Sequence, residues 1–87
     1  MIWDTTEAEA SLSPLTASSE ACLAIGMKYC LGHGVAANNI EAHKWFNIAA
    51  MKGSEKARSY RLELAREMTA AEVAEAQRQA RTLLTVH

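Results

Sequence analysis

The sequence predicts an all-α fold of about four helices, arranged as two antiparallel helical hairpins. Apolar residues make up 49% of the 87 residues, and alanine supplies much of that share, which favours closely packed helices. Apolar side chains recur at the three- and four-residue spacing of a helix in successive stretches of the chain. Neither the period-two alternation nor the β-branched runs of a strand appear anywhere.

The chain begins with a segment that differs from the rest. Residues 1–17 contain Pro14 and several serines and threonines around few apolar side chains, so we predict an acidic N-terminal tail or irregular lead-in. Ile2 and Trp3 are the large apolar exceptions. Because a free tail usually avoids such side chains, we expect them to dock on the domain or on a second copy of it.

The first hairpin is predicted to occupy residues 18–53. Ser18 or Ser19 can cap its first helix, which runs to about Leu31. Gly32 then fits the left-handed position that ends a helix.

The second helix of this hairpin is capped by Asn38 or Asn39, runs to about Lys52 and stops at Gly53. Its apolar side chains form one stripe at helical spacing. The stripe contains Ala42, Trp45, Phe46, Ala49 and Ala50.

Residues 54–87 are predicted to form a degenerate second hairpin that acts as a C-terminal cap. Ser54 caps a third helix that runs through about Glu67. Thr69 and Glu72 have the capping-box spacing that opens a fourth helix. The apolar face of that helix contains Val73, Ala76, Ala80, Leu83 and Leu84. Glu75, Arg78 and Arg81 lie away from this face and can pair three residues apart.

Residues 21–57 carry small and aromatic residues at characteristic positions. These are Ala21, Ile25, Gly26, Tyr29, Gly32, His33, Gly34, Val35, Ala42, Trp45, Ala49, Ala50, Gly53 and Ala57. This spacing resembles the Sel1-like repeat of the tetratricopeptide-like superfamily, and the whole chain is similar to short bacterial proteins with one such repeat. Asn38 stands where the family usually has aspartate, and Arg61-Leu62 replaces the Leu-Gly pair of a second repeat. The resemblance implies a two-helix scaffold that binds proteins.

The charged residues and cysteines restrict the function further. The formal net charge of −1 argues against a general polyanion binder, so we expect no nucleic-acid partner. Residues 1–20 are acidic, whereas residues 52–66 hold five cationic side chains against two glutamates and are interpreted as a solvated helix face.

The expected location is the cytoplasm. No apolar stretch approaches the length of a membrane span, and the N-terminus lacks the pattern of a signal peptide. Cys22 and Cys30 are eight positions apart on one predicted helix, which separates their Cα atoms by ~12 Å along the helix axis. This distance is too great for a disulfide, so we expect buried, reduced thiols.

Three kinds of chemistry find little support in the sequence. Residues 32–37 match a Gly-rich dinucleotide loop only superficially, since a helix rather than a strand precedes them, and no cofactor is expected. Cys30, His33 and His43 lack metal-ligand spacing, so no metal is expected either. A catalytic triad would need Asp4, the sole aspartate, from the lead-in. The chain is therefore predicted to be no enzyme.

The function predicted from these features is that of a protein-protein interaction module. Tetratricopeptide-like hairpins present a groove lined by their first helices, to which the resemblance assigns five candidate partner-binding residues. They are Met27, Lys28, Cys30, His33 and Asn47. The alternative is a self-associating structural or regulatory subunit, such as a homodimer, because a single repeat leaves apolar faces at both ends.

Overall fold

The computed structural model describes residues 16–85. Within them the chain forms four helices and no strand, which confirms the all-α class. The helices are α1 (Ser19–Leu31), α2 (Asn39–Met51), α3 (Glu55–Ala65) and α4 (Ala70–Thr85). Ile2, Trp3 and most of the predicted lead-in lie outside the described residues. None of the helices among residues 16–85 is long and apolar enough to span a membrane.

Side-chain caps start the helices where the sequence predicts them. The Oγ atoms of Ser18 and Ser54 accept hydrogen bonds from backbone N–H groups three residues later, at 3.0 and 3.1 Å. Asn38 Oδ1 does the same for α2 at 3.0 Å. The predicted capping box also forms: Thr69 Oγ1 accepts from the N–H of Glu72, whose carboxylate accepts from the N–H of Thr69. Each cap satisfies a backbone donor that the helix itself leaves free.

The helix ends are set by glycine and by short turns. Gly32 adopts φ 72°, and its N–H donates to the carbonyl of Lys28, so it ends α1 in the predicted left-handed conformation. Helices α2 and α3 end slightly before the predicted Lys52 and Glu67. Residues 52–53 form a turn after α2, and residues 66–67 form a turn after α3.

Helix α2 is the central element, since the principal contacts between helices are those of α2 with α1, α3 and α4. Its start lies beside the end of α1, where the N–H of Asn38 donates to the carbonyl of Tyr29 at 3.0 Å. Its other end lies near the start of α1, since the charge of Lys52 acts on the Cys22 thiol. α3 and α4 pack mainly on α2 rather than on each other, so their pairing as a second hairpin stays a prediction.

The core lies around Phe46, which is fully buried. A Cβ atom added to Gly26 of α1 would lie 2.5 Å from Cδ1 of the Phe46 ring, so α1 and α2 approach closely at this glycine. The ring also stacks on Tyr60 of α3, with ring centroids 5.6 Å apart and an interplanar angle of 25°. Phe46 therefore joins three helices. The other buried apolar side chains are Ala17, Cys22, Ile25, Ala42, Ile48, Ala49, Ala57, Leu64, Ala76 and Ala80.

Candidate functional site

The structure places four of the five candidate partner-binding residues on α1 and the loop that follows it. Met27, Lys28 and Cys30 are half-buried, and His33 is exposed. The carbonyl of Lys28 accepts the N–H groups of Gly32 and His33, at 2.9 and 3.1 Å, which fixes the loop against the end of the helix. We call Met27, Lys28, Cys30 and His33 the α1 surface.

Met27 and Cys30 lie three positions apart, so they share one side of α1, where both pack partly against the core. Burial raises the pKa of the Cys30 thiol, and the nearby carboxylate of Glu67 raises it further. Glu67 follows the end of α3, so its carboxylate lies near enough to act on the thiol at the end of α1. A protonated thiol is a poor nucleophile, so Cys30 contributes a soft, apolar surface here rather than reactive chemistry.

The two cysteines differ in burial. Both thiols are free, as predicted from their separation along the helix. Cys22 is fully buried, and burial raises the pKa of its thiol, although the charge of Lys52 partly opposes the shift. Cys30 is only half-buried. The prediction of two buried thiols is therefore wrong for Cys30, because α1 packs on the core along one side only.

Asn47, the fifth candidate residue, lies apart from the α1 surface. It is half-buried on α2, and its Oδ1 atom accepts a hydrogen bond from Nη1 of Arg61 at 2.6 Å. Arg61 belongs to the basic stretch that was interpreted as a solvated face. Lys56, Arg58 and Arg66 are indeed exposed, but Arg61 points toward α2 and links the two helices.

His43 precedes Asn47 by one helical turn, so the two side chains share a side of α2. The imidazole is 1% exposed, and its Nδ1 atom has no hydrogen-bond partner among the described residues. Burial lowers the pKa of His43 and the positive charge of Arg61 lowers it further, while a contact of the ring with the residue's own backbone, too poor in geometry for a hydrogen bond, partly opposes the shift. The sequence analysis predicts no metal-ligand role for His43 and assigns it no other function. We call His43, Asn47 and Arg61 the α2–α3 polar cluster.

A shallow groove of about 300 Å³ runs between α2 and α4. It is lined by Lys44, Arg78, Gln79, Thr82 and Leu83. Each of its two cations already has a carboxylate partner. Lys44 Nζ lies 2.7 Å from the carboxylate of Glu41, and Arg78 pairs with Glu75 as the sequence predicted. Hydrogen bonds from Arg78 and Gln79 lower the pKa of Glu75 to about 2. The groove is therefore charge-compensated and poorly suited to an anion.

Metal ligation was considered for Cys30, His33 and His43. Within residues 16–85, no three side chains of histidine, cysteine, aspartate or glutamate come close enough together to hold a metal ion. The three residues lie on the end of α1, in the following loop and within α2.

Comparisons of the chain with protein-family models, with curated proteins and with solved structures give no significant match. The interpretation of the site therefore depends on its own geometry.

Proposed function

We propose that this chain is a non-enzymatic interaction module that binds a protein or peptide through the α1 surface. The observation that carries the proposal is the accessibility of these side chains: Met27, Lys28 and Cys30 are half-buried, and His33 is exposed. Each candidate on α1 packs part of its side chain on the fold and leaves part of it for a partner. The resemblance to Sel1-like repeats, which are protein-binding scaffolds, agrees with this function.

The chemistry of the α1 surface favours an apolar segment of a partner. Met27 is unbranched and polarizable, so it can adapt to irregular apolar side chains, and Cys30 behaves as a small apolar residue while its thiol is protonated. Lys28 adds an ammonium group beside them. The apolar face of an amphipathic peptide helix has chemistry complementary to Met27 and Cys30.

A photo-crosslinking experiment identifies the partner and tests the site. A photoreactive residue is placed at Lys28, and a matched one at Gln77, an exposed position of α4. We expect the α1 probe, but not the α4 probe, to give a specific crosslinked product. The purified partner is then titrated against Met27→Glu and Gln77→Glu variants of the full chain. The first should weaken binding at least tenfold and the second should leave it unchanged. Equal affinities for both variants would exclude the α1 surface.

Self-association is the second candidate function, and the exposed apolar side chains favour it. Leu31, Met51 and Leu62 are 55%, 61% and 59% exposed, so each offers apolar surface that a second copy could cover. Light scattering of the full chain over a wide concentration range tests it. A mass that rises with concentration, and falls back in a Leu62→Gln variant, supports a homo-oligomer built through α3. A mass that stays that of the monomer excludes self-association and favours binding of a different protein or peptide.

A further inference from the structure

The α2–α3 polar cluster combines three features that packing alone does not require. A histidine is almost fully buried at 1% exposure, and its Nδ1 atom is unpartnered among the described residues. A guanidinium from the next helix lies close enough to act on that imidazole. The same guanidinium donates to Asn47, at 2.6 Å, one turn further along α2. An apolar residue at position 43 would fill the space without leaving a buried polar atom unpartnered.

We propose that His43 and Arg61 form a proton-sensitive latch between α2 and α3, in which protonation of His43 releases Arg61 from Asn47 and loosens α3. With a neutral imidazole, Arg61 holds α3 against α2 through its bond to Asn47. With a protonated imidazole, the charge of Arg61 acts on a second cation in a partly buried environment, where their repulsion is weakly screened. Arg61 is only half-buried, so it relieves the repulsion by swinging toward solvent.

The charged groups around His43 do not offset this repulsion. From α3 the group that acts on the imidazole is Arg61. On α2 itself, Glu41 and Lys44 are bonded to each other. On α4, Glu75 and Arg78 are likewise bonded to each other, and no charge of the described part of α1 or α4 contributes to the shift in the pKa of His43. A carboxylate that would stabilise the imidazolium is thus missing from the described residues around it.

The direction of the pH response follows from the lowered pKa. In an opened or unfolded state, His43 regains its ordinary pKa of 6.5, so that state binds the proton more readily than the closed state. The contribution of the latch is complete above pH 6.5. As the pH falls from 6.5 toward the pKa of His43 in the closed state, this contribution is lost. The equilibrium constant for opening then rises about tenfold for each pH unit. Arg61 stays charged throughout this range.

Nuclear magnetic resonance of the full chain tests the latch by measuring two quantities in one sample. The imidazole resonances give the midpoint of His43, and hydrogen-exchange protection factors report the opening of α1 and α3 separately. We expect a midpoint below 6.5 and a loss of protection in α3 that exceeds the loss in α1 at acid pH. Parallel loss in both helices, or a midpoint at or above 6.5, would overturn the proposal.

Three variants separate the latch from a merely structural role. Arg61→Met keeps a long side chain without the charge, so it should raise the midpoint of His43. His43→Gln should remove the extra acid response of α3, whereas the matched control His33→Gln, in the exposed loop, should retain it. An unchanged midpoint in Arg61→Met contradicts the latch, as does an acid response that persists in His43→Gln. If His43→Gln does not fold, the wild-type and Arg61→Met titrations decide the question.

Discussion

Substitution of Gly26 by alanine tests the close approach of α1 and α2. The added Cβ would lie 2.5 and 2.6 Å from two carbon atoms of the Phe46 ring. Optimal carbon–carbon contacts lie at about 3.5–4.0 Å, so the new methyl group overlaps the ring by roughly 1 Å. The ring cannot retreat easily, because it is fully buried and stacks on Tyr60. One of the two helices must therefore shift.

Two opposing effects set the magnitude. Overpacking of a core typically costs about 1–3 kcal/mol. The helix gains up to about 1 kcal/mol when alanine replaces glycine in its interior. The cost of steric overlap with a fixed ring is the larger of the two. We therefore expect Gly26→Ala to lose about 1–2 kcal/mol of unfolding free energy, or roughly 4–16 °C in Tm for a domain of this size.

Urea unfolding monitored by circular dichroism measures this loss. Ala24→Gly, at an exposed position of the same helix, calibrates the propensity term and should itself cost about 1 kcal/mol. Phe46→Leu should relieve the overlap, so the double variant should lose about 1 kcal/mol less than the sum of the two single losses. A Gly26→Ala variant as stable as the wild type would refute the close approach of the two helices.

Three further predictions concern local features. Ser54→Ala should lower the free energy of unfolding in urea by about 1 kcal/mol, because it removes the cap of α3. The control Ser59→Ala, on the exposed face of α3, should change it by less than about 0.5 kcal/mol, and equal losses would contradict the cap. Gly53 has φ 106°, so Gly53→Ala should cost about 1–2 kcal/mol by the same assay, and no loss would contradict a strained turn. Burial raises the pKa of both thiols, so iodoacetamide at pH 7 should label Cys30 slowly and Cys22 only on unfolding. Mass spectrometry measures the two labelling rates, and faster labelling of Cys22 than of Cys30 would contradict the burial of Cys22.

Local features of this fold could be predicted because their causes lie within a few residues. The caps at Ser54 and Thr69 each depend on a side chain and a backbone N–H three positions away, and both form as predicted. Gly32 ends α1 because no side chain opposes its positive φ. The predicted pair of Glu75 and Arg78 also forms, since three-residue spacing places the two side chains together on any helix.

The burial of α2 was predicted only in part. Of the predicted stripe, Ala42, Phe46 and Ala49 are buried, but Trp45 and Ala50 are only half-buried. Ile48, His43 and Lys44 are buried outside that stripe. An amphipathic pattern indicates one buried side, which suits a helix with one neighbour. α2 has three neighbours, so side chains around most of its circumference lose contact with solvent. The sequence contains no local signal for the number of neighbours of a helix.

The same limit applies to the α2–α3 polar cluster. The four-residue spacing of His43 and Asn47 places them on one side of α2, and this could have been read from the sequence. Their shared neighbour Arg61 follows Asn47 by 14 residues on another helix, and only the packing of α3 brings it there. Within a basic stretch, no pattern distinguishes the cation that turns inward from those that stay in solvent.

Asn47 connects the candidate partner-binding residues to the proposed latch. Its Oδ1 atom accepts a hydrogen bond from Arg61 while α3 is closed, so a partner that uses this acceptor competes with Arg61 until Arg61 leaves. If a partner uses Asn47 at all, Asn47→Ala should weaken its binding near pH 5.5 and have little effect near pH 7.5. Titration calorimetry with the purified partner at both values of pH measures the difference, with Met27→Glu as the variant that should weaken binding at either. An effect of Asn47→Ala that is equal at both values would show that the residue meets the partner without release of Arg61.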